Sequence, residues 1–325
     1  MKNILVLGGA GYIGSHTVKK LLIKGFNPIV VDNLVYGHKA AVLAKDFYQI
    51  DIGDKIALNS VFKKHKIDAV VHFAAFAYVG ESVTQPQKYY HNNLINTINV
   101  LDCMIENDVK NIVFSSTCAT YGNPQYSPLN EKHPQNPINP YGQTKFMVEK
   151  VMDDYDRAYG LKSICLRYFN AAGADKDGQL AEKHNPETHL IPLVLQTALG
   201  ESEYINVFGN DYDTPDGTCI RDYIHVEDLA DAHILALEKL FTEPKSYRIN
   251  LGTGIGTSVN EIIKSAERVT GKEIPVLYVD RREGDPAKLV ASNEYAQEIL
   301  YWIPKYVKID DIVESAYKVM VNPPF

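Results

Sequence analysis

Cysteine is scarce in this chain of 325 residues: Cys103, Cys118, Cys165 and Cys219 are the whole supply. They lie far apart and form no C-x-x-C, which excludes a disulfide framework and the common zinc spacings. Isolated thiols of this kind suit a reducing compartment. Long apolar runs are lacking as well, and none approaches the ~18 residues that a membrane-spanning helix needs. Met1-Lys2-Asn3 is followed by only four apolar residues before Gly8, too few for a secretory leader. A cytoplasmic chain with no membrane partner is expected. Positive charge is in short supply, with 33 Lys and Arg against 40 Asp and Glu and a net charge of −7. Such a chain has no overall electrostatic reason to hold nucleic acid; an anionic substrate would depend on a few local arginines and helix N-termini. No fixed-period repeat is visible, which excludes a solenoid.

What is present is the composition of a globular protein, 45% hydrophobic and 22% charged. At roughly 100–200 residues per domain the length suits two lobes around a cleft. Short continuous apolar runs, Ile4 to Leu7, Pro28 to Val31, Ala69 to Phe73 and Asn111 to Phe114, alternate with helical spacing such as Tyr12 to Ile23. Runs of that length, each separated by a helix, predict a parallel sheet covered on both faces. The interval from Glu81 to Asn107 fits one extended helix. From Asn170 to Asp222 glycine and proline punctuate the chain and predict an irregular lobe of loops. Regular alternation returns at Val226 to Leu240, Tyr247 to Leu251 and Ser258 to Thr270, with a last helix from Ile309 to Met320. The fold class is α/β: a doubly wound parallel sheet (Rossmann) with a smaller C-terminal substrate-binding lobe. The division is placed at 1–170 and 171–325, with a segment around 222–255 able to return to the first domain.

Gly8, Gly11 and Gly14 form G-x-x-G-x-x-G between the first strand and first helix. Glycines there let backbone N–H groups and the helix N-terminus approach a pyrophosphate. Asp32 closes the second strand near the ~20-residue offset at which a carboxylate meets an adenosine ribose, favouring NAD over NADP. A turn glycine set needed only for packing reads the same way, and Gly252, Gly254 and Gly256, followed by Asp280, repeat the pattern. Position favours the first, because nucleotide folds of this type open with the fingerprint.

Tyr141 and Lys145 form Y-x-x-x-K, one turn apart on one helical face after Asn139-Pro140. A lysine so placed is expected to lower the tyrosine pKa from its usual ~10, making a general base or acid for an alcohol. Alone, the spacing better describes a solvated helix pair. Its position after Phe114-Ser115-Ser116-Thr117, a strand end that presents hydroxyls, favours the catalytic reading.

Together these residues resemble the sugar-nucleotide epimerases of the extended short-chain dehydrogenase/reductase family. The resemblance runs from Gly8 to at least Asp285 through G-G-A-G-Y-I-G-S-H (8–16), V-D-N-L (31–34), H-F-A-A (72–75), R-Y-F-N-A-A-G-A (167–174), F-G-N-D-Y (208–212), D-G-T-x-x-R-D-Y-I-H-V (216–226) and R-R-E-G-D (281–285). It implies interconversion of UDP-glucose and UDP-galactose by transient oxidation at C4 with tightly bound NAD, in a homodimer. It implies Tyr12 and Ile13 at the cofactor pyrophosphate, Asp32 and Asn33 at the ribose, and Asp51 and Ile52 at the adenine. Phe73, Ala74, Ala75 and Asn92 line the rest of the cofactor site, and Phe169 its nicotinamide end. Tyr141 is the implied base, Lys145 its cofactor-ribose partner and Thr117 the accompanying hydroxyl. Asn170, Leu190, Phe208, Arg221, Arg282 and Asp285 match positions that hold uridine diphosphate. Arg221 beside Asp222 also reads as a plain ion pair, and Arg281 as structural.

The resemblance has departures. Ala77 stands where some relatives carry lysine, and His189 where asparagine often precedes the leucine. Leu289 matches a position that limits the sugar pocket; leucine, smaller than tyrosine, implies admission of UDP-N-acetylglucosamine and UDP-N-acetylgalactosamine as well. His225 and His233 with Asp228 and Asp231 suggest a metal set, but a helix face explains them better. A 4,6-dehydratase would need an acidic pair after Thr117, where Cys118-Ala119-Thr120 stand. A silent NAD-binding regulator would be expected to lose the tyrosine or the arginines, and both are kept.

Overall fold

The computed structural model describes residues 1–282 and 284–325. The apolar runs become strands β1 (Asn3–Leu7), β2 (Asn27–Asp32), β3 (Asp46–Gln49), β4 (Ala69–His72), β5 (Asn111–Thr117) and β6 (Lys162–Tyr168). Strands β7 (Asn170–Ala172), β8 (Ile205–Phe208) and β9 (Ile220–His225) follow in a second lobe, and β10 (Tyr247–Leu251) returns to the first. The main sheet has the order β3-β2-β1-β4-β5-β6-β10, every neighbouring pair parallel. Chain direction across the sheet reverses between β1 and β4, the switch point at which such sheets bind ligands beyond their strand ends. Both faces are covered, so the central strands read as unbroken apolar runs. On one face Ile4, Val6 and Val71 pack against helices α1 (Tyr12–Ile23) and, from the second half of the chain, Val226–Thr242. On the other, Leu5, Leu7 and Val70 meet α2 (Lys55–Lys64) and the helices Asn96–Glu106 and Pro140–Tyr159.

The single helix expected between Glu81 and Asn107 is instead broken into α3 (Val79–Thr84), α4 (Pro86–Tyr89), a π turn (Tyr90–Ile95) and α5 (Asn96–Glu106). Pro86 has no N–H to continue α3, and Gln85 before it takes φ −131°, as the residue preceding a proline does. The next helix, α6 (Pro140–Tyr159), is capped by Asn139, whose side chain accepts from the Gly142 N–H at 2.8 Å, and ends on left-handed Gly160. Strand β5 runs further than its apolar stretch: Ser115, Ser116 and Thr117 pair with Leu166, Arg167 and Tyr168.

In the second lobe, α7 (Leu190–Leu199) lies within the stretch expected to be irregular. After it come α8 (Val226–Thr242), β11 (Gly256–Ser258), α9 (Val259–Thr270), β12 (Val276–Val279), β13 (Lys288–Leu289), α10 (Glu294–Leu300) and α11 (Ile309–Val321). Strand β9 organises this lobe, pairing with β7, β11 and β13. Helices α7, α9 and α11 share a separate apolar cluster. Asp222, on β9, resolves the two glycine turns. Its carboxylate accepts from the N–H groups of Thr253 (2.8 Å), Gly254 (3.0 Å) and Ala291 (3.2 Å). The second turn therefore spends its donors on a protein carboxylate, and a Cβ at Gly252 would lie 2.5 Å from that carboxylate.

Candidate active site

The first glycine turn spends the N–H groups of Gly8 and Gly11 on the Val31 and Gly8 carbonyls and that of Ala10 on Asp32, and leaves those that open α1. A Cβ on Gly8 would lie 2.6 Å from the Ala74 nitrogen, and one on Gly14 only 2.1 Å from the Gly8 carbonyl oxygen. Backbone packing across the switch point demands those two glycines. Gly11 is different: a Cβ there would meet nothing closer than the Gly8 oxygen at 3.5 Å. Its bareness keeps the cleft open beside it. Gly11 also precedes α1 without a side-chain cap, leaving first-turn N–H groups at Tyr12 and Ile13 for an anion.

Asp32 borders the cleft with one oxygen accepting from the Ala10 N–H (3.0 Å) and the other from the Leu34 N–H (2.8 Å). Burial raises its pKa despite those bonds. Asn33 donates to Asp51 at 2.9 Å, and the other Asp51 oxygen accepts from the Gly53 N–H at 2.7 Å. Ile52, Phe73, Ala74, Ala75 and Asn92 complete the lining. Tyr36 and Gly37 line it too, although neither stood out in the sequence. The signal was slight: a glycine soon after Asp32, where a Cβ would press on the Asp32 carboxylate at 2.9 Å. A bare anion cradle at one end, with an acid and an amide at the other, fits a dinucleotide.

Tyr141 and Lys145 stand on the first turns of α6, over the end of β5. The Thr117 hydroxyl oxygen accepts from the Ala119 N–H at 3.1 Å, which leaves its own proton for Tyr141. Burial pushes the Tyr141 phenol up to about 12, opposed by the nearby Thr117 hydroxyl. Burial pushes Lys145 the other way, to about 7. The expected lowering of the tyrosine by the lysine is not what the structure has. The ammonium donates to the Ser115 carbonyl at 2.7 Å and lies 4.7 Å over the Phe114 ring, a placement directed at the strand rather than the phenol.

One turn further along α6, Glu149 is buried in a fork with Arg167, 2.9 Å to Nε and 2.5 Å to Nη2, and accepts from Ser116 at 2.5 Å. Arg167 outweighs burial and holds Glu149 below the usual carboxylate range. This pair went unnoticed in the sequence, although Tyr141, Lys145 and Glu149 share the i, i+4, i+8 stripe. Ser115, paired through its hydroxyl with Tyr168, was likewise missed as the lysine's anchor.

At the rim of the second lobe, Asn170 lies opposite Tyr223 in the β7–β9 register and Leu190 opens α7. The Arg282 guanidinium lies 3.9 Å over the Phe208 ring. Arg221 does not pair with Asp222. Its side chain points to Asp285 (3.0 Å) and to the carbonyls of Ile220 and Pro286 (2.9 Å each), because β13 sits beside β9 there. Arg281 pairs with Asp211 at 2.6 Å. Phe169 and Leu289 share a small apolar cluster with Tyr121 and Cys118. His225 and His233 are engaged separately. His225 accepts from the Glu227 N–H at 3.1 Å and stacks on Tyr306 at 3.9 Å, whereas His233 meets the Leu229 carbonyl at 2.8 Å. Asp228 accepts from the N–H groups of Lys305 and Tyr306, and Asp231 pairs with Lys20 and Lys305.

The NAD dependent epimerase/dehydratase family matches residues 4–252. The UDP-glucose 4-epimerase of Halalkalibacterium halodurans is 55% identical over 314 residues, covering 97% of this chain and 94% of its own. The crystal structure of UDP-glucose 4-epimerase from Brucella ovis in complex with NAD superposes with a TM-score of 0.96 at 51% identity, covering 98% of each chain. That of the Bifidobacterium longum enzyme in complex with NAD+ and UDP superposes with 0.94 at 38% identity, covering 99% of each.

Proposed function

This chain belongs to the NAD-dependent epimerase/dehydratase family, and we propose that it interconverts UDP-glucose and UDP-galactose with the residues gathered at the mouth of the dinucleotide cleft. It is an NAD-dependent 4-epimerase. The observation that carries the assignment of residues is the convergence of Thr117, Tyr141 and Lys145 at the end of β5. That strand neighbours β4, whose following residues Phe73 to Ala75 wall the cleft.

The chain would hold NAD with the N–H groups of Tyr12 and Ile13 at the pyrophosphate, where Gly8, Gly11 and Gly14 leave room for it, and Asp32 and Asn33 at the ribose. Asp51 and Ile52 lie at the adenine, and Phe73, Ala74, Ala75, Asn92 and Phe169 along the rest. When bound, NAD supplies the capability that side chains lack, accepting hydride from C4 and returning it to the opposite face. Tyr141 takes the proton of the 4-hydroxyl and gives it back after the sugar has turned over. Thr117 bridges that hydroxyl and the phenol. Lys145, held by Ser115, places positive charge beneath the base and meets the cofactor ribose.

Turning the hexose requires that its handle stay fixed. Asn170, Leu190, Phe208, Arg221, Arg282 and Asp285 supply that grip in our reading: two guanidinia for the diphosphate, Phe208 for the uracil face and Asp285 for ribose hydroxyls. Residues 1–170 with α8 and β10 of the returning segment then form the cofactor domain, and the remainder of 171–325 the UDP-sugar lobe. Leu289, packed beside Phe169, supports a pocket wide enough for N-acetylated UDP-hexoses. No helix of the described residues is long and apolar enough to cross a membrane. The four unpaired cysteines support a cytoplasmic location, and exposed Val83 and Ile95 near α6 support a homodimer.

Purified protein supplied with UDP-glucose and catalytic NAD should produce UDP-galactose, followed by the anomeric proton resonances, without accumulating NADH. Absence of interconversion, or NADH rising in step with product, overturns the reading.

A further inference from the structure

Between β7 and α7 the chain runs as a long strap, residues 173–189. It is fastened at Asp175 by Lys19 (2.7 Å), at the Lys183 carbonyl by His38 (2.9 Å) and at the Pro186 carbonyl by Tyr78 (3.1 Å). Within it, Glu182, His184, Glu187 and His189 turn their side chains to one point, with one ligand atom from each lying within 4.8 Å of the others. His184 Nδ1 is 3.2 Å from Glu182 Oε1 and 3.5 Å from Glu187 Oε2, and His189 Nδ1 is 3.7 Å from Glu187 Oε1 and closer still to Glu182. The carboxylates are almost shielded from solvent, with side-chain exposures of 7% and 9%. His184 Nδ1 is buried and, near as these oxygens are, has no hydrogen-bond partner among the described residues. The group borders a cleft whose far wall is formed by α7 and α11, and the half-exposed ring of His189 leaves a way in.

We propose that these four side chains bind one divalent transition-metal ion of the zinc class, which clips the strap into its present course. Two imidazole nitrogens and two carboxylate oxygens match zinc's preference. Bonds of about 2.0–2.2 Å in a tetrahedron place neighbouring ligand atoms roughly 3.3–3.6 Å apart, and three of the present separations, 3.2, 3.5 and 3.7 Å, lie close to that range. Magnesium and calcium favour all-oxygen sets and more ligands. Four protein ligands close the shell, the arrangement of a structural rather than a catalytic ion. One segment supplies every ligand, as Glu-x-His-x-x-Glu-x-His, so the ion fixes that segment's course. The strap enters α7 through His189, and the ion therefore also fixes where Leu190 begins.

The full-length protein, stripped with EDTA and dialysed, is titrated with zinc chloride and with cobalt chloride, and metal content is measured by plasma mass spectrometry. One zinc per chain is expected, together with the intense visible bands of four-coordinate cobalt. His184→Gln and His189→Gln should each weaken zinc by more than about 100-fold, since losing even an outer-shell partner costs 10- to 100-fold. Zinc should also slow tryptic cleavage after exposed Lys183 at least tenfold in the wild type and not in the variants. Because the cobalt spectrum and the proteolysis are read on wild-type protein, a variant that fails to fold leaves the decision intact. Sub-stoichiometric zinc, a weak six-coordinate cobalt spectrum, or cleavage indifferent to zinc overturns the site.

Discussion

Burial raises the Tyr141 phenol to about 12 and lowers Lys145 to about 7, so the two groups are pushed apart, the phenol away from neutral pH and the ammonium towards it. The phenol gains proton-accepting power from charge or donors brought close to it, and the Thr117 hydroxyl favours the phenolate in this way. Tyr141→Phe keeps the ring and its packing while removing the acceptor. Turnover should fall about 100-fold or more, with UDP affinity unchanged by calorimetry; near-normal turnover would remove Tyr141 from its role. Lys145→Met loses the 2.7 Å bond to Ser115 along with its charge. It should lower kcat and also release NAD during gel filtration, an outcome separable from the tyrosine variant. Leu289 faces a different question, set by volume. It pairs with Arg221 in the β13 register and packs by Phe169, so a bulkier side chain there would intrude on neighbouring space. Leu289→Tyr should suppress turnover of UDP-N-acetylglucosamine at least tenfold more than that of UDP-glucose. Equal losses on both, or no wild-type activity on the N-acetyl sugar, would mean that the leucine only packs.

At the scale of elements, α6 does more than present the base. The stripe Tyr141, Lys145 and Glu149 faces β5 and β6, and Glu149 joins the helix to β6 through Arg167, which continues to Tyr121 (3.0 Å) and on to Asn250 of β10 (2.6 Å). A buried fork of this kind is costly to break from one side, because the survivor is left charged and unpaired. Arg167→Met should therefore cost about 3–5 kcal/mol of unfolding free energy in urea. The double variant with Glu149→Leu should recover part of that loss; a double variant no better than the single would locate the strain elsewhere. Glu149 was legible in principle as the next member of the Tyr141 stripe, whereas the lysine's anchor is the Ser115 carbonyl, a backbone group that no residue type announces. The same division holds for the fold. Strands β1, β2 and β4 are legible because burial on both faces leaves unbroken apolar runs. The π turn after Pro86 is not, since it interrupts helical spacing without imposing a period of its own. Strands β7 and β13 are too short to carry alternation, and pairing with β9 brings them into existence. The two glycine turns look alike as sequence and differ only once Asp222 reaches across from β9.

Taken as a whole, the molecule buries four neutral imidazoles around its first lobe and the lobe junction. Burial lowers His72 and His225 to about 3 and His16 and His233 to about 4, against an ordinary value near 6.5 in the unfolded chain. The unfolded state therefore binds these protons first, so from about pH 6.5 down to about 4 unfolding takes up protons and stability falls with pH. Asp32, Glu131, Asp222 and Asp228, raised by burial, and His184 and His189, raised against burial by Glu182 and Glu187, oppose the trend. The carboxyl rises, however, are held down by backbone N–H bonds such as those to Asp222 and Asp228. Between pH 7 and pH 5 each histidine should remove about 1–2 kcal/mol. Urea unfolding in a chelating buffer should register a loss of several kcal/mol over that interval, with a slope corresponding to uptake of more than two protons. His233, between the rings of Phe73 (4.7 Å) and Tyr168 (5.9 Å), makes one hydrogen bond, to the Leu229 carbonyl of its own helix. His233→Met keeps apolar contact with both rings and removes the titrating group, so its loss between pH 7 and pH 5 should be smaller than the wild type's by about one histidine's share. Stability that is flat from pH 7 to 5, or a His233→Met slope equal to the wild type's, would show that the buried imidazoles do not control the acid limb.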